Sequence, residues 1–229
     1  MPAARGLLLD IGGVVLRGAP PLVPLLAAQH PSMQAALDSY GGVGSDRDEL
    51  WQRMLRHEVS ERAYWAQRAR ELGAAVGADW STRDLIEQLY RENPREVWLN
   101  APMVELMCEA RSAGIGLAAL TNDLSYFHGP DWAPKQDFFA LFQVIVDAAE
   151  IGVLKPDPRA FAAGADALGL PAAEIVFLDD MPWNVSAGAG FGFHSIRVSY
   201  DEPEAAIAQA RGLLGLDGRS AERNDAAPQ

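Results

Sequence analysis

Short, uninterrupted apolar runs recur along the chain at residues 7–9, 115–120, 144–146, 175–178 and 195–198, each bounded by Gly, Pro, Asn or Asp. A strand that is apolar at every position buries both of its faces. That happens when helices cover a parallel sheet on both sides. Helical patterns alternate with the last four runs. Residues 102–112 place Met103, Leu106, Met107 and Ala110 at a 3.6-type spacing behind Pro102, and Gly114 and Gly116 stop the pattern. Asp157 and Pro158 read as an N-cap and first helical position for a helix that reaches Leu168 and ends at Gly169. Residues 184–189 and 202–214 are predicted as two further helices. Strands alternating with helices give an α/β fold with a doubly wound parallel sheet and right-handed crossovers.

The stretch from about 17 to 98 breaks that alternation, because it holds no convincing strand. Its periodicity predicts helices at 22–39, 46–57, 60–72 and 81–91, with Ser60 and Ser81 as caps, and turn chemistry over Tyr40–Ser45. The predicted organisation is therefore a core of residues 1–16 and 99–216, an inserted α-helical cap of 17–98, and a polar, Ala/Pro-bearing disordered tail over 217–229.

A formal net charge of −12 argues against nucleic-acid binding, which needs a basic surface. No segment reaches the roughly 18–20 uncharged apolar residues of a membrane span, so no membrane partner is expected. A single cysteine, Cys108, builds neither a disulfide framework nor a cysteine zinc site within one chain. A cytoplasmic location follows as the expectation, and the sequon Asn184-Val185-Ser186 then reads as coincidence.

In an open α/β sheet the ligand lies beyond the carboxyl ends of the strands. The polar residues there are Asp10 after the first run, Thr121-Asn122-Asp123 after the second, Lys155 in the loop after the third, and Asp179-Asp180 at the end of the fourth. Any one Asp in such a place is as readily a helix cap. Together they suit phosphoryl transfer through an aspartyl-phosphate. Asp10 is the nucleophile in that reading, and Asp179 and Asp180 supply oxygen ligands to Mg²⁺. Thr121 and the backbone around Asn122 donate to phosphoryl oxygens, while Lys155 neutralises the charge that gathers there. Gly12 and Gly13 let the backbone after Asp10 approach the phosphate. His128 lies in an irregular aromatic segment, residues 125–132, where a substrate would pass.

The segments LLLDIGGVV, LAALTND, VLKPDPRAF and IVFLDDMPWNVSAGAGFGF, in this order, resemble the four signature motifs of the haloacid dehalogenase superfamily of hydrolases. The resemblance implies a Rossmann-like core with strand order 5-4-1-2-3, Mg²⁺ dependence and a small helical cap between the first two motifs. Carried over by position, Asp10 is nucleophile and metal ligand, and Gly12 is a metal ligand through its carbonyl. Thr121 and Asn122 contact phosphate, Lys155 is the charge partner, and Asp179 and Asp180 form the acidic metal site. The substrate implied is a small phosphorylated metabolite, such as a sugar phosphate.

One position departs from that pattern. Phosphatases of the superfamily usually carry a general acid/base Asp two residues after the nucleophile, where this chain has Gly12. The dehalogenase branch lacks that Asp too, but does not keep paired acids such as Asp179-Asp180. The expectation is a phosphatase, with a catalytically impaired phosphate-ligand binder and a hydrolytic dehalogenase as alternatives. A phospho-receiver domain fits poorly, because its acidic pair belongs near the first strand.

Overall fold

The structure is a computed structural model, and it describes residues 3–200 and 202–217. The predicted tail at 217–229 falls outside the described residues apart from Asp217. Among the described residues the chain forms two compact units, one of 3–16, 100–124, 131–200 and 202–217 and the other of 17–99 and 125–130.

The first unit is the α/β body. Five parallel strands, β1 (Gly6–Leu9), β2 (Gly116–Thr121), β3 (Val144–Asp147), β4 (Ile175–Asp179) and β5 (His194–Arg197), are ordered β3-β2-β1-β4-β5. This is the predicted order, with β1 at the centre. In register, Leu8 stands between Ala118 and Phe177, and Leu9 between Ala119 and Leu178. All of these side chains are buried. One face of the sheet carries the helices Pro158–Leu168 and Pro182–Phe191, and the other carries Ala101–Ser112 and Pro203–Leu214. Under the first pair lies an apolar cluster of Leu8, Leu120, Phe161, Ile175, Phe177 and Phe193, with the Phe161 and Phe177 rings edge to face at 5.7 Å. β3 corrects the expectation that every strand is buried on both faces. It is an edge strand, with a neighbour on one side only, and Val144 and Ile145 remain 40% and 38% exposed.

The second unit is helical: Ala19–Ala27, Pro31–Ser39, Glu49–Leu55, Glu61–Ala75, Thr82–Glu92 and the single turn Arg95–Trp98. The helix predicted over 22–39 is in fact two. Pro31 supplies no N–H to a preceding turn and forces His30 into an extended conformation (φ −136°, ψ 100°), so the chain breaks there and restarts. The Ser60 and Ser81 caps are present, and Ser81 exchanges hydrogen bonds with Asp84 in a capping box. The interior of this unit holds an ion pair. Asp48 caps Glu49–Leu55 through the Trp51 N–H (3.0 Å), accepts from Tyr64 Oη (2.6 Å) and pairs with Arg68. The Arg68 guanidinium also lies 3.9 Å from the centre of the Tyr40 ring. Residues 125–130 belong to this unit as well: Arg83 donates to the Ser125 carbonyl, and Arg62 lies over Tyr126.

Candidate active site

Parallel pairing brings the carboxyl ends of β1, β2 and β4 side by side, so the polar residues that close them become neighbours. Asp10 follows β1 directly, and its N–H still bonds to the Leu178 carbonyl of β4 (2.9 Å). That bond fixes its backbone to the sheet. Its Oδ1 accepts from the Ile11 N–H at 2.7 Å and lies 3.1 Å from Lys155 Nζ. The same ammonium donates to Asp179 Oδ2 at 2.6 Å. Asp179 is fully buried and is held further by the Met181 N–H (2.9 Å) and the Asn184 carboxamide (3.1 and 3.2 Å).

Asp10, Asp179 and Asp180 each offer one carboxylate oxygen, and these oxygens lie within 4.8 Å of one another. Three hard anionic donors this close, with one lysine between two of them, are a donor set that fits a divalent cation. The electrostatics agree. Burial pushes the Asp10 carboxyl up to about 6, against the pull of Lys155 and with help from the charge on Asp179. Burial works against the Lys155 ammonium, but Asp10 and Asp179 outweigh it and hold the group above its usual range.

Gly12 and Gly13 turn out to differ. Gly13 has φ +75°, and a Cβ built on it would stand 2.3 Å from Asp180 Oδ2. Its lack of a side chain makes room for the acid, and its backbone conformation suits Gly. A Cβ on Gly12 meets nothing within 4 Å, and Gly12 is exposed. Thr121 closes β2 and is buried, its carbonyl accepting from the Ala148 N–H at 2.7 Å. The Asn122 carboxamide is committed to protein: it donates to the Lys155 carbonyl (3.1 Å) and accepts from the Lys155 N–H (2.7 Å). His128 belongs to the helical unit, where its ring stacks on Tyr90 with centroids 5.5 Å apart and planes 3° off parallel. Burial holds it neutral, down to about 3.

Sequence reasoning did not single out Asn184 as a site residue. It sits in the first turn of Pro182–Phe191, reaching back to the end of β4, and it is only 3% exposed. The available signal was a polar residue in the first turn of the helix that follows a strand ending in acids. Its burial also fits the reading of the sequon as coincidence.

The family of haloacid dehalogenase-like hydrolases matches residues 4–192 of this chain. The chain belongs to that family. Among curated relatives, acyl-CoA dehydrogenase family member 10 of Mus musculus is 35% identical over 50% of this chain and 10% of its own length. The phosphoserine phosphatase of Thermus thermophilus is 29% identical over 71% and 61%. The chain thus spans less than two thirds of either protein. The phosphoglycolate phosphatase of Pectobacterium atrosepticum is 25% identical over 98% of this chain and 97% of its own. Two solved structures share the fold, each with a TM-score of 0.59: a dehalogenase (19% identical, covering 93% of this chain and 98% of its own) and a haloacid dehalogenase-type phosphatase from Thermococcus onnurineus (17%, covering 92% and 98%). The family is one of hydrolases. No helix among the described residues is long and apolar enough to cross a membrane.

Proposed function

We propose that the chain is a Mg²⁺-dependent phosphomonoester hydrolase for a small phosphorylated metabolite, working through a phosphoryl group carried on Asp10. The observation that carries this reading is the convergence of the Asp10, Asp179 and Asp180 oxygens within 4.8 Å beside the Lys155 ammonium. Carboxylates packed so closely repel one another, and a cation among them relieves it. Asp10, Asp179, Asp180 and the Gly12 carbonyl would hold Mg²⁺, which when bound neutralises charge on the phosphoryl oxygens. The relatives named as phosphatases of phosphoserine and phosphoglycolate support a substrate of that size and charge.

The chain's own residues then divide the work. Oδ1 of Asp10 is engaged by the Ile11 N–H and Lys155, so Oδ2 is the attacking oxygen. It bonds to phosphorus as the ester P–O bond breaks, and a water later displaces Asp10 to release inorganic phosphate. The Thr121 hydroxyl and the backbone N–H groups that follow it are the donors for the phosphoryl oxygens, and Lys155 offsets their growing charge. With Gly12 at the usual acid position, the departing oxygen takes its proton from solvent. His128, neutral and held by Tyr90, is a poor donor.

Gly12 also favours the dehalogenase reading, so the test covers both. Phosphate release from 4-nitrophenyl phosphate is expected with Mg²⁺, is lost with a chelator, and is abolished in Asp10→Asn. Halide release from 2-chloropropionate in the presence of chelator, with no phosphate release under any condition, would replace the phosphatase by a dehalogenase.

A further inference from the structure

Lys155 has an unusual position. It is one of only two lysines in the chain. It sits in an irregular loop, its side chain is 1% exposed, and its ammonium must stay near Asp10 and Asp179 to do anything for either. An irregular loop has no ladder of its own to fix an ammonium five bonds from Cα. Asp179 holds the far end of the lysine. The near end is held by Asn122, whose carboxamide matches both backbone groups of Lys155, donating to its carbonyl at 3.1 Å and accepting from its N–H at 2.7 Å. A two-point contact of this kind copies one rung of a β-ladder with a side chain and fixes both the place and the orientation of the residue.

From this geometry we infer that the Asn122 side chain is a positioning group: its carboxamide holds the Lys155 backbone so that the ammonium is delivered to Asp10, and that carboxamide does not contact the substrate. The inference deepens the phosphatase reading and rests on it for the catalytic consequence. Its geometric half stands alone. Asn122 follows Thr121 at the end of β2, so the sheet places the carboxamide, the carboxamide places the loop and the loop places the lysine. Replacing Asn122 removes both backbone contacts and frees the loop, leaving the lysine tethered only through its ammonium, at Asp179 and Asp10. A misplacement of about 1 Å at a reacting centre costs on the order of 10²-fold in rate.

The lysine count makes the test clean. Lys135, the other lysine, is exposed and serves as an internal reference for acylation by an amine-reactive ester read residue by residue by mass spectrometry. In the wild-type chain Lys155 is expected to be protected relative to Lys135. In Asn122→Ala the Lys155 labelling rate should rise at least about tenfold with Lys135 unchanged, and kcat on 4-nitrophenyl phosphate should fall about 10–100-fold with KM nearly constant. Asn122→Asp keeps the acceptor for the Lys155 N–H but loses the donor, and should fall between the two. It also carries the test if the Ala variant does not fold. Protection of Lys155 unchanged in a folded variant overturns the inference. So does a rise in KM at constant kcat, which would make Asn122 a direct substrate contact. If the wild-type chain releases no 4-nitrophenol with Mg²⁺, the phosphatase reading falls, and the labelling ratio alone decides the positioning role.

Discussion

Two adjacent glycines that look alike in the sequence do different things. Gly13 combines a left-handed backbone with the closest approach to Asp180, so a methyl group there is opposed twice. The backbone alone costs about 1–2 kcal/mol, and the new Cβ would displace the carboxylate from 2.3 Å. Gly13→Ala is expected to lower the melting temperature and to weaken the response to Mg²⁺, read by a titration of activity against the metal. Gly12 has open space and no positive φ, so Gly12→Asp should leave stability within about 0.5 kcal/mol of the wild type. If its carboxyl reaches the departing oxygen it restores an acid whose assistance is typically worth about 10²–10⁴-fold, most for the poorest leaving groups. Rates on an alkyl phosphate should therefore rise more than rates on 4-nitrophenyl phosphate. An equal change for both, with phosphoryl transfer rate-limiting, would mean that another group already protonates the leaving oxygen. The sequence placed an Asp, a Thr and an acidic pair at strand ends and a Lys in the loop after a strand, because a strand end is a local pattern. The carboxamide links of Asn122 and Asn184 were not visible in it. Each depends on which loop or strand lies opposite, and that is set by tertiary pairing.

At the scale of elements, the strongest local signals decided the structure wherever they existed. Ser60 and Ser81 cap helices because their hydroxyls reach an N–H three residues on, a relation contained within four residues of sequence. Apolar periodicity is weaker than a proline, which is why residues 22–39 break at Pro31 despite a continuous pattern. Likewise β3 is apolar in sequence yet partly exposed, since no local signal distinguishes a central strand from an edge. Asp48 shows what an element-level contact contributes beyond a cap. Its carboxylate starts Glu49–Leu55 and also binds Tyr64 and Arg68 of Glu61–Ala75, so two helices share one buried charge. Asp48→Ala leaves the Arg68 charge buried with only Glu71 opposite, and should destabilise the helical unit by about 3–5 kcal/mol. Ser81→Ala, which removes an exposed cap, should cost only about 1 kcal/mol. Chemical denaturation of the two variants checks the ranking, and equal losses would show that the buried pair contributes no more than a cap.

For the whole molecule, acid titration tests how the helical unit treats its half-buried histidine. His128 is held down to about 3 by burial, whereas in the unfolded chain it titrates near 6.5. The sign follows from proton counting. Between those values the unfolded chain binds a proton that the folded chain refuses, so stability falls as the pH drops through 6.5 and continues to fall until about 3. Above 6.5 the histidine costs nothing. At pH 5 the loss reaches about 2 kcal/mol, since each unit of displacement is worth about 1.4 kcal/mol. Other groups act in the same range and partly conceal it. Asp10, raised to about 6, takes up its proton in the folded state first and so stabilises the fold as the pH falls toward the ordinary carboxylate range. The net charge of −12 also shrinks on acidification and relieves self-repulsion. A difference experiment removes both. His128→Phe keeps a flat ring against Tyr90 but cannot titrate, while Asp10 and the remaining carboxylates are the same in both proteins. Denaturant unfolding at pH 7 and pH 5 should show the wild type losing about 2 kcal/mol more than the variant over that interval. Equal losses would mean that the folded protein protonates His128 as readily as the unfolded chain does, and that its imidazole is available as an acid near neutral pH after all.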